Sequence, residues 1–175
     1  MASNRQVEQS IRWVIFDEED HLVPAPDFRL MSLDSKQISA SDYRESNSLV
    51  LFFAHKGSVA DSRQALIAFA NRRNEFAGHD AIVLALLPGT LEELRRETYL
   101  VELPFPVLVD EDGVVRQRYA ELMDESLVSP EDDLLFILDP YGAPYAALVR
   151  QEMGDPQVQD EILQWVAYVS MLCPE

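Results

Sequence analysis

Three continuous runs of apolar residues, each as long as a β-strand, dominate the hydrophobic pattern of the chain. They are Leu49–Phe53 (LVLFF), Ala81–Leu87 (AIVLALL) and Leu134–Leu138 (LLFIL). Because these runs do not alternate with polar residues, they are typical of strands that are buried on both faces of a sheet. The pattern therefore predicts a covered sheet with parallel neighbours among its strands.

The segments between and after these runs have the apolar spacing of amphipathic helices. One helix is predicted to start at Ser58 and to end at Gly78, which suits the C′ position. A second is predicted from the N-cap residue Thr90 to about Val101, and a third over residues 114–122. A C-terminal helix is predicted because one of its faces would carry Val158, Ile162, Trp165, Val166 and Val169.

Shorter apolar segments predict smaller strands. Ile11–Phe16 is predicted to be a strand, and the residues on either side of Asp34–Lys36 are predicted to form a small hairpin. Val107–Val109 is a short strand, and a turn at Asp139–Gly142 joins the third long run to Tyr145–Val149. Strands that alternate with helices, together with this closing hairpin, predict an α/β protein with a mixed sheet.

The charge balance narrows the classes of partner. The 175 residues carry a formal net charge of −17, which disfavours binding to the phosphate backbone of nucleic acid. The sequence has no apolar run of membrane-spanning length, no signal-peptide pattern and one cysteine, Cys173. We therefore expect a cytoplasmic protein that binds neither nucleic acid nor membrane.

The polar loop after the first long run is the main candidate for chemistry, because the free amides at a helix N-terminus favour an anion. Ser58 and Asp61 have the spacing of a capping box. Together with His55 and Ser62, they include the residue types of a hydrolase triad, but closeness along the chain does not give the required geometry. We favour the capping interpretation. The acidic run 17–20 is interpreted as a solvated turn, and no metal or cofactor is expected.

Four segments, in the same order along the chain, resemble a known family. Residues 25–34 (APDFRLMSLD) are similar to the "APDF.L...dG" opening of the AhpC/TSA, or redoxin, group of peroxiredoxins. Leu49–Phe53 resembles their first central strand, Leu103–Gly113 their "LPFPLLSDEDG" segment and Phe136–Gly142 their "F.IDP.G" hairpin. The resemblance implies a thioredoxin-like three-layer α/β fold, with a central mixed β-sheet flanked by helices.

This resemblance also implies a domain division and the positions of the reactive groups. An N-terminal extension with one strand (1–21) would precede the thioredoxin-like domain (22–175). The family's Thr-x-x-Cys element would match Ser58 to Asp61, so that Asp61 takes the position of the peroxidatic cysteine. The family's arginine would fall at Asp133, the last residue of a predicted acidic loop that starts at Asp124. The reaction needs a thiolate, and a carboxylate cannot be cycled through a sulfenate.

We therefore expect a peroxiredoxin-like protein with a degenerate site, which has lost peroxidase activity and acts as a binding or interaction module for an unknown protein or small ligand. If Asp61 and Asp133 approach one another, the pair would raise the pKa of one carboxyl or hold a cation. The alternative is that both carboxylates point to solvent. The competing class is a thiol oxidoreductase, a peroxidase or disulfide-exchange protein, that uses Cys173. A homodimer, linked through the same thiol, is also left open.

Overall fold

The computed structural model describes residues 11–55, 59–150 and 152–172, with the backbone alone for residues 59–61. The strands within these residues are β1 (Trp13–Ile15), β2 (Arg29–Met31), β3 (Gln37–Ser39), β4 (Ser48–Phe53), β5 (Ala81–Leu87), β6 (Val107–Val109), β7 (Asp133–Leu138) and β8 (Pro144–Arg150). The helices are α1 (Val59–Asn71), α2 (Arg73–Ala77), α3 (Leu91–Arg96), α4 (Thr98–Val101), α5 (Val114–Ala120) and α6 (Pro156–Met171). Short 3₁₀ turns cover Asp20–Leu22, Ala40–Tyr43 and Glu125–Leu127. None of the described helices has the length and apolarity needed to cross a membrane.

Among the described strands, six form one mixed sheet in the order β1-β8-β7-β4-β5-β6. Strand β4 is parallel to β5 and antiparallel to β7, and β5 is parallel to β6. The β7–β8 hairpin and the edge strand β1 complete the antiparallel half. Strands β2 and β3 form a separate hairpin. The predicted mixed sheet is thus confirmed, and the three long apolar runs are its strands β4, β5 and β7.

Both faces of this sheet are covered, which explains why the apolar runs are unbroken. On one face, Phe52 belongs to a buried cluster with Phe69 of α1 and Ile162 of α6. On the other face, Phe53 belongs to a second cluster with Tyr119 of α5. Because successive strand residues point to opposite faces, the apolar residues of β4 belong alternately to one cluster and the other. All six residues of the strand are buried.

Strand β1 lies in the predicted N-terminal extension and joins the main sheet by pairing with β8, where Trp13 is opposite Leu148. It is shorter than the predicted strand Ile11–Phe16. The Trp13 ring packs beside Trp165 of α6, with 5.8 Å between ring centroids. Its Nε1–H donates a hydrogen bond of 2.8 Å to Glu161 on the same helix. These contacts tie the edge of the sheet to the C-terminal helix.

Some predicted boundaries are wrong. The helix predicted to reach Gly78 is divided at Arg72, whose φ of −105° and ψ of 11° leave the helical region, and Gly78 has a φ of −63° rather than the left-handed conformation. The second predicted helix is divided at Glu97, whose backbone is extended. Asp133 does not belong to the acidic loop. It is the first residue of β7, because it pairs in register with Arg150 of β8.

Gly154, in the loop between β8 and α6, lies against the backbone of α1. A Cβ atom at this position would be 2.9 Å from the carbonyl carbon of Gln64 and 3.0 Å from the backbone nitrogen of Ala65. Contacts this short cannot be relieved by a side-chain rotation, because the opposing atoms belong to the main chain. The glycine therefore sets how closely the start of α6 approaches α1.

We expect Gly154→Ala to destabilise the protein by about 1–3 kcal/mol, because the added methyl group forces two backbone segments apart. The matched control is Gly78→Ala, where the nearest atoms would lie at 3.4 Å and φ is −63°. That control should change stability by less than about 1 kcal/mol. Urea unfolding of both variants measures the difference, and equal stabilities would contradict this account.

Candidate functional site

The candidate site lies where β4 ends beside the start of β7. Phe53 is opposite Leu134 in the antiparallel ladder, so the chain that leaves β4 passes next to Asp133. His55 is brought to Asp133 in this way, although the two residues are 78 positions apart in sequence. Ser62, in the first turns of α1, reaches the same carboxylate from the helix side.

Asp133 is the centre of this site, and its side chain is only 1% exposed. Its Oδ1 atom accepts a hydrogen bond of 3.0 Å from the backbone N–H of His55 and lies 2.8 Å from the Nδ1 atom of the same residue. The hydroxyl of Ser62 lies 3.3 Å from Oδ1 and 3.4 Å from Oδ2. An ionised carboxylate only accepts hydrogen bonds, so Nδ1 carries the proton whenever Asp133 is charged.

Two opposing effects act on the proton affinity of Asp133. Burial raises the pKa of Asp133 above its ordinary value of 3.8, because desolvation disfavours the charged form. The hydrogen bonds from His55 and Ser62 and the charge of His55 lower this pKa. Burial is the largest of these effects, so the carboxyl gains a proton more readily than a solvated aspartate does.

A half-buried arginine on α5, Arg116, also acts on this site. Its Nη2–H donates to the backbone carbonyl of Asp132 at 2.6 Å and to that of Ser129 at 3.3 Å. The carboxylate of Asp110 accepts from the backbone N–H of Arg116 at 2.9 Å, which fixes the start of the helix. Burial lowers the pKa of Arg116, and the charge of Asp133 is the largest influence in the opposite direction.

Arg116 therefore brings a cation from α5, and not from β7, to the backbone of the residue that precedes Asp133. Nothing in the local sequence distinguishes Arg116 from other helix positions, so its place at the site could not be predicted. The contact that brings Arg116 to the site runs through the backbone of residues 129 and 132. That contact can be predicted only when the course of the backbone through the acidic loop is known.

The structure brings together only part of the residues considered for a hydrolase triad. His55 meets a carboxylate, but this is Asp133, and Ser62 contacts the carboxylate rather than taking the place of a nucleophile beside the base. Ser58 and the side chain of Asp61 lie outside the described part of the chain, and so does Cys173. The capping box of Ser58 and Asp61 thus stays a prediction.

The proposed approach of Asp61 to Asp133 also stays a prediction, for the same reason. The alternative that both carboxylates point to solvent is wrong for Asp133, which is buried. In the described residues, no group of three or more His, Cys, Asp or Glu side chains could hold a metal ion. The described partners of the Asp133 carboxylate are hydrogen-bond donors, His55 and Ser62.

Comparison with known proteins places this chain in a family. A family model, described as the AhpC/TSA family, matches residues 23–143. The chain belongs to the AhpC/TSA family. No curated protein matches its sequence. The resemblance of the four sequence segments to AhpC/TSA proteins is therefore confirmed at the level of the family.

Solved structures similar to this AhpC/TSA chain have low sequence identity but cover most of it. A peroxiredoxin Q structure from Xanthomonas campestris superposes with a TM-score of 0.69 at 17% identity, covering 86% of this chain and 99% of that chain. Thioredoxin peroxidase I of Plasmodium yoelii gives a TM-score of 0.66 at 17% identity, covering 87% and 95%. A putative thiol:disulfide interchange protein DsbE from Chlorobium tepidum gives 0.63 at 17% identity, covering 84% and 95%. These likenesses confirm the thioredoxin-like fold.

The substitution Asp133→Asn removes the charge of this side chain and tests whether burial raises the pKa of Asp133. Above pH 3.8 the unfolded chain has lost this proton, whereas the folded chain retains it until the pH passes the raised pKa. We therefore expect wild type to lose stability relative to Asp133→Asn as the pH rises through that interval. The measurement is urea unfolding of both proteins at a series of acidic pH values, below the range where histidine titrates.

Glu131→Gln is the matched control, because Glu131 is an exposed acid two residues away. Its stability should follow wild type across the same pH series. A wild type that instead gained stability over Asp133→Asn with rising pH would show that the hydrogen bonds from His55 and Ser62 outweigh burial.

Proposed function

We propose that this member of the AhpC/TSA family is a binding or interaction module that does not reduce peroxides. The observation that carries the proposal is the cysteine content. The chain has one cysteine, Cys173, and residues 55–62 at the end of β4 contain none. Thiol peroxidase chemistry needs a thiolate nucleophile that is oxidised to a sulfenate and then reduced again. The residue types present around His55 do not supply such a nucleophile.

The surroundings of Asp133 support the proposal. The resemblance would give this position an arginine, which could stabilise a neighbouring thiolate or attract an anion. The carboxylate at this position has the opposite charge, and it accepts hydrogen bonds from His55 and Ser62. Arg116 compensates part of that charge but directs its Nη2 atom to the backbone carbonyls of residues 129 and 132. The described side of the site therefore favours a cationic or neutral hydrogen-bonding partner over an anion.

A second candidate function is a thiol oxidoreductase that uses Cys173. One observation favours it, namely that α6 ends at Met171, a residue that is 76% exposed and lies two positions before Cys173 in the sequence. Two of the similar structures are named as a peroxiredoxin and a thioredoxin peroxidase. In this alternative the thiolate would reduce peroxide to water or alcohol, and an external thiol would restore the oxidised cysteine.

A peroxide assay separates the two functions. We expect purified wild-type protein to consume hydrogen peroxide in the presence of dithiothreitol no faster than Cys173→Ser. The reason is that residues 55–62, where the family has its reactive cysteine, contain no cysteine in this chain. The assay measures the initial rate of peroxide loss over the background of dithiothreitol alone. Turnover by wild type that disappears in Cys173→Ser would overturn the proposal and establish the thiol oxidoreductase.

The binding role is tested separately from the loss of activity. Wild type and Asp61→Asn would be used as bait in co-purification from the native cell, and Glu131→Gln would be the control bait. We expect wild type and the control to retain a partner protein that Asp61→Asn retains less strongly. A set of retained proteins that is the same for all three baits would place binding elsewhere on the chain.

A further inference from the structure

A groove lined by aromatic and acidic side chains lies between the N-terminal edge of the sheet and the C-terminal helix. Its aromatic side chains are Trp13 of β1, Phe16 just after that strand, His21 of the first 3₁₀ turn, Tyr145 of β8, and Trp165 and Tyr168 of α6. Its volume is about 780 Å³, which lies within the range of 300–1,000 Å³ that is common for ligand sites. We call this feature the aromatic–acidic groove.

The rings of the groove are held in fixed positions by one another. Trp165 packs at 5.8 Å from Trp13 and, edge to face, at 5.8 Å from Tyr168. His21 stacks on Tyr145 with 3.7 Å between centroids and an interplanar angle of 11°. Tyr168 remains 48% exposed, so its ring is accessible at the rim. The aromatic surfaces of the groove are therefore already ordered before a partner binds.

The charge of the groove is negative. Its acidic side chains are Asp17, Glu18, Asp160 and Glu161, and no Lys or Arg is among the described residues that line it. Asp160 is paired with Arg72 at 2.7 Å, and Glu161 accepts the hydrogen bond from Trp13. Asp17 and Glu18 are exposed and form no ion pair with another described residue. Their carboxylates are the ones available to a cation that approaches the rings.

Two features of the position favour an extended chain as the occupant. Strand β1 is the last strand of the sheet, and among the described residues it pairs only with β8. Ile15 of this strand is 56% exposed, so the rim beside the groove also offers apolar surface. An edge strand can pair with the backbone of an added chain, while neighbouring pockets take its alternate side chains.

The groove is separate from the site at Asp133. Asp133 is opposite Arg150 at the C-terminal end of β8, whereas Tyr145 is near the N-terminal end of that strand. Phe16 is joined to this same end by the hydrogen bond from its backbone N–H to the carbonyl of Tyr145, at 3.1 Å. The two sites therefore lie at opposite ends of the sheet.

We propose that the aromatic–acidic groove binds a basic, extended segment of a partner protein. An arginine or lysine side chain of that segment would lie on the faces of Trp165 and Tyr168 and pair with Asp17 and Glu18. Cations are attracted to aromatic faces by the ring quadrupole, and the guanidinium group also stacks on them. The charge complementarity of the groove selects this occupant over an acidic or a purely apolar one.

The chain provides its own probe for this proposal, because Trp13 and Trp165 are its only two tryptophans and both line the groove. Full-length protein would be titrated with a blocked pentapeptide of valine that has arginine at the second and fourth positions, and tryptophan emission would be followed. A salt concentration of about 0.15 M limits long-range attraction, because the Debye length is then about 8 Å. A matched peptide with glutamine in place of arginine controls for charge.

We expect a saturable change in emission with the arginine peptide and binding weaker by about tenfold with the glutamine peptide. The double variant Asp17→Asn/Glu18→Gln should bind the arginine peptide about tenfold more weakly, since it removes both unpaired carboxylates. Tyr168→Ala should lower the affinity for the arginine peptide severalfold, although it does not change the net charge. These three residues are exposed, so the variants are expected to melt like wild type.

Glu111→Gln/Asp112→Asn is the matched control, because it removes the same charge from the loop after β6, at the other edge of the sheet. It should leave the affinity within about twofold of wild type. Equal weakening by the two double variants would show general attraction to an acidic surface and would overturn the proposal. It would also be overturned by an absent or non-saturable signal, by equal affinity for the glutamine peptide, or by tetramethylammonium binding as tightly as the peptide, which would indicate a small-molecule site.

Discussion

Strand β4 is buried on both faces and at both edges, and the position of every other layer depends on it. Its neighbours β5 and β7 pair with it on either side, and its side chains enter both apolar clusters. Each large side chain that is fully buried contributes roughly 1.5–3 kcal/mol, so this strand alone supplies a large part of the driving force for folding. The chain that leaves β4 has no freedom of register, and it must pass directly beside the first residue of β7.

This constraint explains why a carboxylate is tolerated in a buried position at Asp133. A charge removed from water is costly unless hydrogen bonds and a nearby charge compensate it. The backbone N–H of His55 is brought to Asp133 by the pairing of β4 with β7, the Nδ1 atom of His55 follows from the same position, and Ser62 is supplied by α1. Arg116 adds a positive charge from the opposite layer. The compensation is incomplete, since burial still raises the pKa of Asp133.

The central architecture could be predicted from the sequence because it is encoded by local patterns. The runs that became β4, β5 and β7 are unbroken and too short for helices, and the turn at Asp139–Gly142 specifies the β7–β8 hairpin. The site could be predicted only in part, because it depends on strand order and register. The sequence marks His55 as a candidate residue, but its partner is 78 positions away, in a segment whose polar composition predicts a loop. The break at Arg72 was missed because the apolar spacing continues across it to Phe76.

The residues that stabilise the fold are largely distinct from those of the candidate site, and this separation allows one to change without the other. The apolar clusters are built from aliphatic and aromatic side chains of the sheet and helices, and neither His55 nor Asp133 belongs to them. A change of charge at the start of β7 therefore alters what the loop beside it can attract, while the packing of Phe52 and Phe53 is left in place. The same holds for the aromatic–acidic groove, where Trp13 and Trp165 pack partly against the core and leave their remaining surface to a partner. A thioredoxin-like scaffold can in this way retain its sheet and helices while the chemistry at its edges is replaced.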